Sequence, residues 1–491
     1  MRFIWSPKVR PFTISVAGLL AMLWNLSTPS LWQDEAATIG ASNRSSSSLL
    51  HLVAKIDAVH ATYYAFIHFW GGAFGFGAFS LRVPSVLAVA VSAYLLFHLA
   101  QQLGLGLNVA TWAPIIFLSL PRTEMSGSEA RSNSMTATII IGLTMVLIWA
   151  LKRETSKARW LAFAGLAMLA TYLFMFNALI LIAYAIFIFI KHRKALLPFV
   201  FASALALVAS LPVLIYGYAE KNQVGWITAK PIYQYAWEAV IGVDYNRAWP
   251  MAILGISLTI FAALRRAPLI LILWAALPSP LLLLVSLTIH PYFVDHYLTF
   301  TTGGTALLIA YGLCQLKLPR KALEARQTLV LPTRLLPTHV LPTLVGVLIV
   351  VLAIPSFIAS REPLAKGTEW ARIAATINQI SKPGDGILLP DAVSPASRSL
   401  DLMIVAYAPE FAGRVDLTLK ATPESTERIF GKRWRELDAP EPSSNRVLMV
   451  SDPADRSSIL EKAPTWLQSK FKYVRTIKFD TASIRVFERI S

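Results

Sequence analysis

Charged residues are scarce in this chain. They make up 15% of its 491 residues, whereas a soluble globular protein carries about 25%. Apolar side chains account for 55%, and the mean hydropathy is +0.55. This composition excludes a disordered chain, a fibrous chain and an ordinary soluble enzyme. We therefore expect much of the chain to lie in a membrane.

Cysteine and the common motifs of nucleotide or protease chemistry are missing as well. Cys314, the only cysteine, lies in an apolar run, so the sequence can form neither a disulfide framework nor a cysteine metal site. The patterns G-x-x-x-x-G-K-[ST], H-E-x-x-H and G-x-S-x-G do not occur. Neither a nucleotide-driven pump nor a zincin protease therefore has support in the sequence.

Long apolar runs follow one another through the first 360 residues. A transmembrane helix needs roughly 20 apolar residues. The run over 159–190 is too long for one span, so we interpret it as a hairpin that turns near Asn177. The resulting spans are predicted near 11–27, 83–103, 108–121, 134–151, 159–174, 175–190, 195–217, 248–264, 267–288, 297–316 and 339–360.

The stretch 62–79 is also apolar, but it is rich in glycine and contains His68, so it is either a span or an interfacial helix. The charges favour the interfacial helix. If the N-terminus is cytoplasmic and 62–79 does not span, the cytoplasmic segments hold 17 basic and two acidic residues. The opposite side of residues 1–360 then holds eight basic and nine acidic residues. A span at 62–79 would remove this positive-inside bias, so we expect about eleven spans.

This topology places four loops and the C-terminal region outside the cytoplasm. The basic, proline-rich stretch 317–338 is predicted to be a cytoplasmic linker. The net charge of +17 then indicates orientation in a membrane and not a nucleic-acid footprint. We expect a multi-pass protein of the cell membrane, with a cytoplasmic N-terminus and no nucleic-acid partner. The outer loops are predicted at 28–82, 122–133, 218–247 and 289–296.

The composition becomes that of a soluble domain after residue 360, with 20 basic and 17 acidic residues in 361–491. We therefore expect a transmembrane helical domain over 1–360 and a small extracytoplasmic α/β domain over 361–491. The second domain shows no catalytic constellation. Its predicted elements are a helix over Thr368–Ile380, buried strands over Gly386–Leu389 and Arg446–Val450, and a hairpin of Val474–Phe479 with Ser483–Phe487.

Acidic residues of the membrane region gather on the predicted outer side. The sharpest group is Asp34-Glu35, directly after the first span. One interpretation is a solvated loop or a helix cap. The other is catalytic, because the pair lies between Trp32 and small apolar residues at the membrane edge. A carboxylate positioned there could take a proton from an acceptor hydroxyl.

Three further outer segments carry polar residues on an apolar background. His60, Tyr63 and Tyr64 belong either to an interfacial aromatic belt or to the wall of a sugar or isoprenoid site. Arg82 stands at the outer end of a span, where it is either a snorkelling anchor or a ligand. The two arginines and two glutamates of 121–134 either neutralise one another or supply an arginine that binds a phosphate.

The segment His290–Tyr297 offers Asp295 and two imidazoles. These residue types could bind zinc, but their spacing matches no metal signature. We therefore predict no cofactor and no metal ligands, while the sequence leaves a divalent metal open.

In this order, the outer-side motifs resemble those of the GT-C superfamily of integral membrane glycosyltransferases. They are most similar to the family 39 group, which is related to protein O-mannosyltransferases and aminoarabinose transferases. Asp34-Glu35 resembles the acidic motif of the family's first outer loop. His60 to Trp70 resembles its H-P-P-L-Y-Y-x-x-x-H-x-W helix, although Ala61-Thr62 replaces the two prolines.

Two later motifs continue the resemblance, which covers roughly residues 10–316. Leu81 to Ser85 is similar to the family's x-R-x-P-S segment, and Ser128 to Ser132 is similar to its x-E-A-R-x segment. Asp295-His296-Tyr297-Leu298 stands where many members have Arg-Tyr-Leu. His296 therefore departs from the pattern, which weakens the assignment of phosphate binding to this position.

The resemblance implies a polytopic GT-C fold and an inverting transfer of a sugar from a polyprenyl phosphate to an acceptor hydroxyl. It implies Asp34 as general base, with Glu35 beside it. Arg131 and then Arg82 are the candidates for stabilising the phosphate as it leaves. The implied set of substrate-binding residues is His60, Tyr63, Tyr64, Arg82, Glu129, Arg131, His296 and Tyr297.

Two other functions remain open at the level of the sequence. A transporter or flippase of lipid-linked sugars is compatible with many spans, but such proteins usually carry inverted repeats and charges at the midplane. The other alternative is a non-catalytic scaffold that binds partners through residues 361–491. The expected partners of the enzyme are a polyprenyl-phosphate-linked sugar, membrane lipid and a glycan, glycolipid or protein acceptor of the cell envelope. The sequence identifies neither the sugar nor the acceptor.

Overall fold

The structure is a computed structural model that describes residues 6–246, 248–316, 340–389, 400–451 and 463–490. Helices dominate the chain before residue 360, and all the strands of the described residues lie after it. The predicted linker 317–338 lies outside the described residues.

The α-helices differ widely in length and follow one another closely. In chain order, α1 to α19 are Arg10–Leu23, Gln33–Ser42, Ser46–Val53, Ala61–Phe74, Ala78–Gln102, Leu107–Ser119, Pro121–Gly127, Asn133–Leu151, Lys157–Leu173, Ile180–Lys191, Leu196–Ala209, Leu211–Ala219, Ile232–Trp237, Val243–Tyr245, Trp249–Leu264, Leu269–Ala276, Pro278–Thr288, Thr302–Cys314 and Val340–Ala359. The later helices α20 to α23 are Trp370–Ile380, Leu400–Ala406, Pro423–Thr426 and Thr465–Lys470.

Several of these helices are long and apolar enough to cross a membrane. Within the described residues there are five, or up to seven if each bent pair is one span. Shorter apolar helices accompany them at Arg10–Leu23, Leu107–Ser119 and Met175–Lys191. Helix α4 has 14 residues, which is less than a bilayer-spanning helix needs. The chain is thus a multi-pass helical protein, while the count of about eleven spans stays a prediction.

The run over 159–190 breaks where its two predicted spans meet. Phe174 is extended, and a 3₁₀ helix over Met175–Leu179 follows it. The side-chain amide of Asn177 donates to the carbonyl oxygen of Ala170 at 2.8 Å, in the last turn of α9, where this oxygen also accepts the N–H of Phe174. A buried asparagine in an apolar run therefore marks a helix end here.

The chain divides into two compact units. The first comprises Met1–Trp24, Asp57–Thr62 and Arg82–Ala359. In its core, the indole of Trp274 is fully buried and donates to the carbonyl oxygen of Phe300 at 2.9 Å. A Cβ atom on Gly304 would come within 2.9 Å of the Trp274 ring, so glycine permits α18 to approach this side chain.

The second unit comprises Asn25–Ile56, Tyr63–Leu81 and Ser360–Ser491. It therefore joins two segments of the predicted outer loop 28–82 to the C-terminal region. The domain boundary at residue 360 is an expectation from composition, and it stays a prediction.

The second unit contains a five-stranded sheet in the order β2-β1-β5-β7-β6. Strand β1 pairs in parallel with β2 and β5, whereas β7 pairs in antiparallel fashion with β5 and β6. Apolar side chains of β1, β5 and β7 form its core with Leu467 and Phe471. The expected small α/β region is thus present. Strands β1 to β7 are Gly386–Leu388, Val415–Asp416, Leu419–Ala421, Lys432–Arg433, Arg446–Ser451, Phe471–Lys478 and Ser483–Arg489.

Candidate functional site

The acid pair lies in the first turn of α2, in the second unit. Trp32 precedes the helix with an extended backbone and makes no side-chain cap. Unpaired N–H groups at a helix N-terminus favour negative charge, so Asp34 and Glu35 occupy a suitable place for carboxylates. Glu35 is fully buried, while Asp34 is partly exposed. Asp34 is therefore the member of the pair that solvent or a substrate can reach.

The predicted tyrosines lie in the same unit. Tyr63 and Tyr64 are both fully buried in α4. The hydroxyl of Ser42 at the end of α2 donates to the carbonyl oxygen of Tyr64 at 3.1 Å, and the imidazole Nδ1 of His68 lies 2.9 Å from the carbonyl oxygen of Ser42. These contacts join α2 to α4. The backbone of Tyr64 is thus bonded to the end of α2, the helix that carries the acid pair.

His60 and Arg131 come together in the first unit. Arg131 Nη2 lies 3.1 Å from His60 Nε2. Because a guanidinium group only donates, Nε2 is the acceptor, and the proton of the neutral imidazole is on Nδ1. Burial and then Arg131 lower the pKa of His60 to about 4, with a smaller contribution from His296. His60 is therefore neutral at neutral pH and orients the arginine without competing for an anion.

Arg82 and Glu129 belong to the same unit and are both buried. The hydroxyl of Ser85 donates to the carbonyl oxygens of Glu129 and Arg131, at 2.6 and 3.3 Å. This contact fixes the segment 129–131 to the beginning of the long helix α5. The motifs around Arg82 and Arg131, far apart in the sequence, are thus neighbours in the structure.

Aromatic rings connect His60 to the last predicted pair, His296 and Tyr297. The imidazole of His60 stacks on Phe174 with ring centres 6.0 Å apart, and Phe174 meets Tyr297 edge to face at 5.0 Å. The ring of His296 lies 5.0 Å from that of Tyr297. Phe176 stacks on Tyr297 at 5.6 Å. The first unit therefore brings His60, Arg131, His296 and Tyr297 to one aromatic-lined place.

A buried ion pair next to this place was not anticipated from the sequence. Arg122 Nη2 lies 2.8 Å from Asp295 Oδ2, and only 4% of the arginine side chain is exposed. Arg122 also donates to the carbonyl oxygens of Val243 and Gly242, each at 2.8 Å. The guanidinium group of Arg122 is thus bonded to the carboxylate of Asp295 and to two backbone carbonyls. Arg122 is a structural residue, which leaves Arg131 and Arg82 as the candidates for a phosphate.

No group of three or more histidine, cysteine, aspartate or glutamate side chains that could hold a metal ion occurs in the part of the chain that the structure describes. Of the predicted residues, Asp34, Glu35, Tyr63 and Tyr64 thus belong to the second unit. The others belong to the first unit, namely His60, Arg82, Glu129, Arg131, His296 and Tyr297. The roles of all ten residues stay predictions.

Comparison with known proteins gives one partial sequence match. No protein-family model matches the chain. The undecaprenyl phosphate-alpha-4-amino-4-deoxy-L-arabinose arabinosyl transferase 2 of Proteus mirabilis (strain HI4320) is 29% identical over 157 residues. This match covers 30% of the chain and 28% of the relative. The chain thus aligns with less than one third of that protein.

Similarity in fold extends over nearly the whole chain. ArnT from Cupriavidus metallidurans in its apo state has a TM-score of 0.56 at 12% identity, over 96% of this chain and 97% of that one. The same protein bound to undecaprenyl phosphate has a TM-score of 0.52 at 13% identity, with the same coverage. At this identity the likeness shows a shared fold. The expected polytopic helical fold with a small C-terminal sheet is confirmed.

Proposed function

We propose that this chain, which has the GT-C fold of ArnT, is a glycosyltransferase that uses a polyprenyl-phosphate-linked sugar. The observation that carries the proposal is the fold match over 96% of the chain, to a protein that has also been determined with undecaprenyl phosphate bound. The partial match to an aminoarabinose transferase supports the same reaction class. The sequence motifs of the predicted outer side supply the candidate residues for this reaction.

The reaction transfers the sugar to an acceptor hydroxyl. Asp34, the exposed member of the acid pair, takes the proton of that hydroxyl as general base. The acceptor oxygen then forms a bond to the anomeric carbon while the bond from this carbon to the phosphate oxygen breaks. Attack from the opposite face inverts the anomeric configuration, and the polyprenyl monophosphate leaves with the electron pair of the broken bond. Glu35, which is fully buried next to Asp34 in the first turn of α2, supports that turn and does not contact the acceptor.

Arg131 is the residue that stabilises the charge on the leaving phosphate. Its guanidinium group is oriented by His60, and a preorganised donor aimed at a developing charge is an efficient form of catalysis. Arg82 is the second candidate, and Glu129 holds the arginines in place. The aromatic rings of Phe174, Phe176 and Tyr297 supply apolar surface for the donor. In this way Arg131 recognises the phosphate of the donor, and the aromatic rings contact its apolar part.

The proposed enzyme acts at the outer face of the cell membrane on a glycan, glycolipid or protein acceptor of the envelope. Its test uses membranes that contain the wild type or Asp34→Asn, supplied with a panel of labelled undecaprenyl-phosphate sugars. We expect Asp34→Asn to fold and to reduce transfer by about 10²–10⁴-fold, the usual effect of removing a general base. The transferred label identifies the donor, and its destination identifies the acceptor.

The matched control is Asp438→Asn, which changes a half-exposed carboxylate that pairs with Arg435 at the surface. This variant is expected to transfer at the wild-type rate. Near-normal transfer by Asp34→Asn contradicts the assignment of the base. If the protein moved the labelled lipid-linked sugar across the bilayer of liposomes without forming a covalent product, the alternative function as a flippase would be favoured.

A further inference from the structure

Helix α2 is attached to the C-terminal region at the end that carries the acid pair. The backbone N–H of Leu31 donates to the hydroxyl of Tyr407 at 2.8 Å, and the hydroxyl of Thr368 donates to the carbonyl oxygen of Leu31 at 3.1 Å. Both backbone groups of Leu31 are therefore held by side chains of the region after residue 360. The neighbouring Ser30 is held by the backbone of the same region, since its N–H donates to the carbonyl oxygen of Pro363 at 3.1 Å.

The opposite end of α2 is attached through Arg44, which is 7% exposed. Its Nε donates to the carbonyl oxygen of Gly40 at 2.6 Å, within the helix. Its two terminal nitrogens donate to the carbonyl oxygens of Pro423, Arg428 and Ile429 in the C-terminal region. Only arginine has a planar fork that reaches this many acceptors at once. The helix is thus held at its beginning and just after its end by the same part of the chain.

Close packing at Gly40, between these two attachments, also restrains α2. A Cβ atom on Gly40 would lie 3.0 Å from the carbonyl oxygen of Ile429 and 3.4 Å from Val405 Cγ1. Val405 belongs to α21, which packs on α2. Buried Ala36 and Ile39 lie on the same helix. A larger residue at position 40 would therefore crowd the backbone at Ile429.

A helix of ten residues does not hold its own geometry in water, because isolated helices shorter than about 12–15 residues are marginal. The position of α2 is therefore determined by its tertiary contacts. The contacts given above for its two ends come from Pro363, Thr368, Tyr407 and the segment 423–429. The orientation of the first turn, and of Asp34 within it, follows from them.

We infer that residues 360–491 are a positioning element for the acid pair, which acts through Tyr407 at the beginning of α2 and Arg44 at its end. The inference rests on the proposed role of Asp34 as base and gives the C-terminal region a part in the reaction without any contact to substrate. A displacement of about 1 Å at a reacting group can cost about 10²-fold in rate. Loosening either attachment therefore lowers turnover more than it weakens donor binding.

The test uses two variants of the full chain in membranes. Tyr407→Phe removes a single hydroxyl, and Arg44→Lys keeps the charge but loses the fork. We expect each to lower kcat by about 10-fold to 100-fold with KM for the labelled undecaprenyl-phosphate sugar nearly unchanged. Hydrogen–deuterium exchange of the amides in residues 33–42 is expected to become about 5-fold to 10-fold faster.

Matched controls make the same chemical changes elsewhere in the same region. Tyr473→Phe removes a hydroxyl that bonds Thr476 on β6. Arg414→Lys alters another arginine that donates to backbone carbonyls, those of Asn378, Ser381 and Ala412. Neither side chain bonds α2 in these contacts, and both variants are expected to leave kcat and the exchange of α2 at wild-type values.

The outcomes separate the inference from the proposed function. Unchanged exchange of α2 in Tyr407→Phe overturns the inference whatever the activity, and so does faster exchange with unchanged kcat. If Arg44→Lys does not fold, Tyr407→Phe alone decides. A wild-type chain that transfers no sugar from any donor overturns the proposed function, whereas the exchange of α2 still reports whether the region after residue 360 holds the helix.

Discussion

At the scale of single residues, His60 is the group whose chemistry the fold changes most clearly. Burial and the neighbouring guanidinium of Arg131 lower its pKa from 6.5 to about 4. In an unfolded chain the imidazole titrates near 6.5. Between about pH 4 and 6.5 the unfolded chain therefore binds a proton that the folded chain does not bind. The free energy of unfolding must fall as the pH falls through this range.

We predict that His60→Gln removes part of this loss of stability on acidification. Glutamine keeps an acceptor for Arg131 but cannot be protonated. The full effect of His60 is about 3 kcal/mol, from roughly 1.4 kcal/mol for each pKa unit. The measurement is the melting temperature of the purified protein at pH 7.5 and at pH 4.5. We expect the melting temperature of the wild type to fall more between pH 7.5 and pH 4.5 than that of His60→Gln.

His192→Gln is the control, because it replaces a histidine outside this cluster, at the end of α10. It should follow the wild type at both pH values. Equal losses for the wild type and His60→Gln would show that the folded protein does not keep this imidazole neutral.

At the scale of elements, the ion pair of Arg122 and Asp295 joins three parts of the first unit. Arg122 lies in the first turn of α7, Asp295 begins the 3₁₀ helix Asp295–Thr301, and the carbonyls of Gly242 and Val243 lie where a π-helical turn meets α14. The predicted residues His296 and Tyr297 follow Asp295 directly. The ion pair of Arg122 and Asp295 therefore holds the 3₁₀ helix that carries His296 and Tyr297.

We predict that Arg122→Ala destabilises the protein by about 3 kcal/mol, because it leaves two buried carbonyls and a carboxylate without their donor. Asp295→Ala should cost less, since 27% of the aspartate side chain is exposed and the arginine keeps its carbonyl contacts. The measurement is the free energy of unfolding, or the melting temperature, of each variant. Arg435→Ala, which breaks an exposed pair with Asp438, provides the comparison and should cost less than about 1 kcal/mol.

The same elements show how far the sequence predicts the structure. The span expected near 134–151 is the helix Asn133–Leu151, which is long and apolar enough to cross a membrane, and the segment 159–174 is helical over Lys157–Leu173. A lipid-exposed helix needs a continuous apolar run whatever packs around it, and such a run is visible in one dimension. The α/β elements after residue 360 were predictable for a similar reason, since strand β5 over Arg446–Ser451 is buried at every position but the first.

The contacts that build the candidate site were not predictable in this way. Arg122 and Asp295 meet across more than half of the first unit's sequence, and Arg44 bonds backbone carbonyls of 423–429. Carbonyl acceptors have no sequence signature, because every residue has one. The resemblance of motifs could therefore name Asp34, His60 and Arg131, while the residues that hold them required coordinates.

At the scale of the whole molecule, the asymmetry of charge predicts how the chain crosses the membrane. The predicted cytoplasmic segments hold 17 of the 25 basic residues in 1–360. Lys and Arg near span ends are retained in the cytoplasm, and this bias determines orientation. The short turn that carries Thr155, between α8 and α9, is then cytoplasmic. The same bias predicts that residues 361–491 lie outside, on the side where the proposed transfer takes place.

We predict that a membrane-impermeant maleimide labels Ser469→Cys in intact cells but does not label Thr155→Cys. Both positions are exposed, and Cys314→Ala removes the single competing thiol of the sequence. After permeabilisation both variants should be labelled equally, which controls for the accessibility of each thiol. If Thr155→Cys were labelled in intact cells and Ser469→Cys were not, the true topology would be the inverse of the predicted one. In that case Asp34, the C-terminal region and the proposed transfer would all lie on the cytoplasmic side, and the donor would have to be presented there.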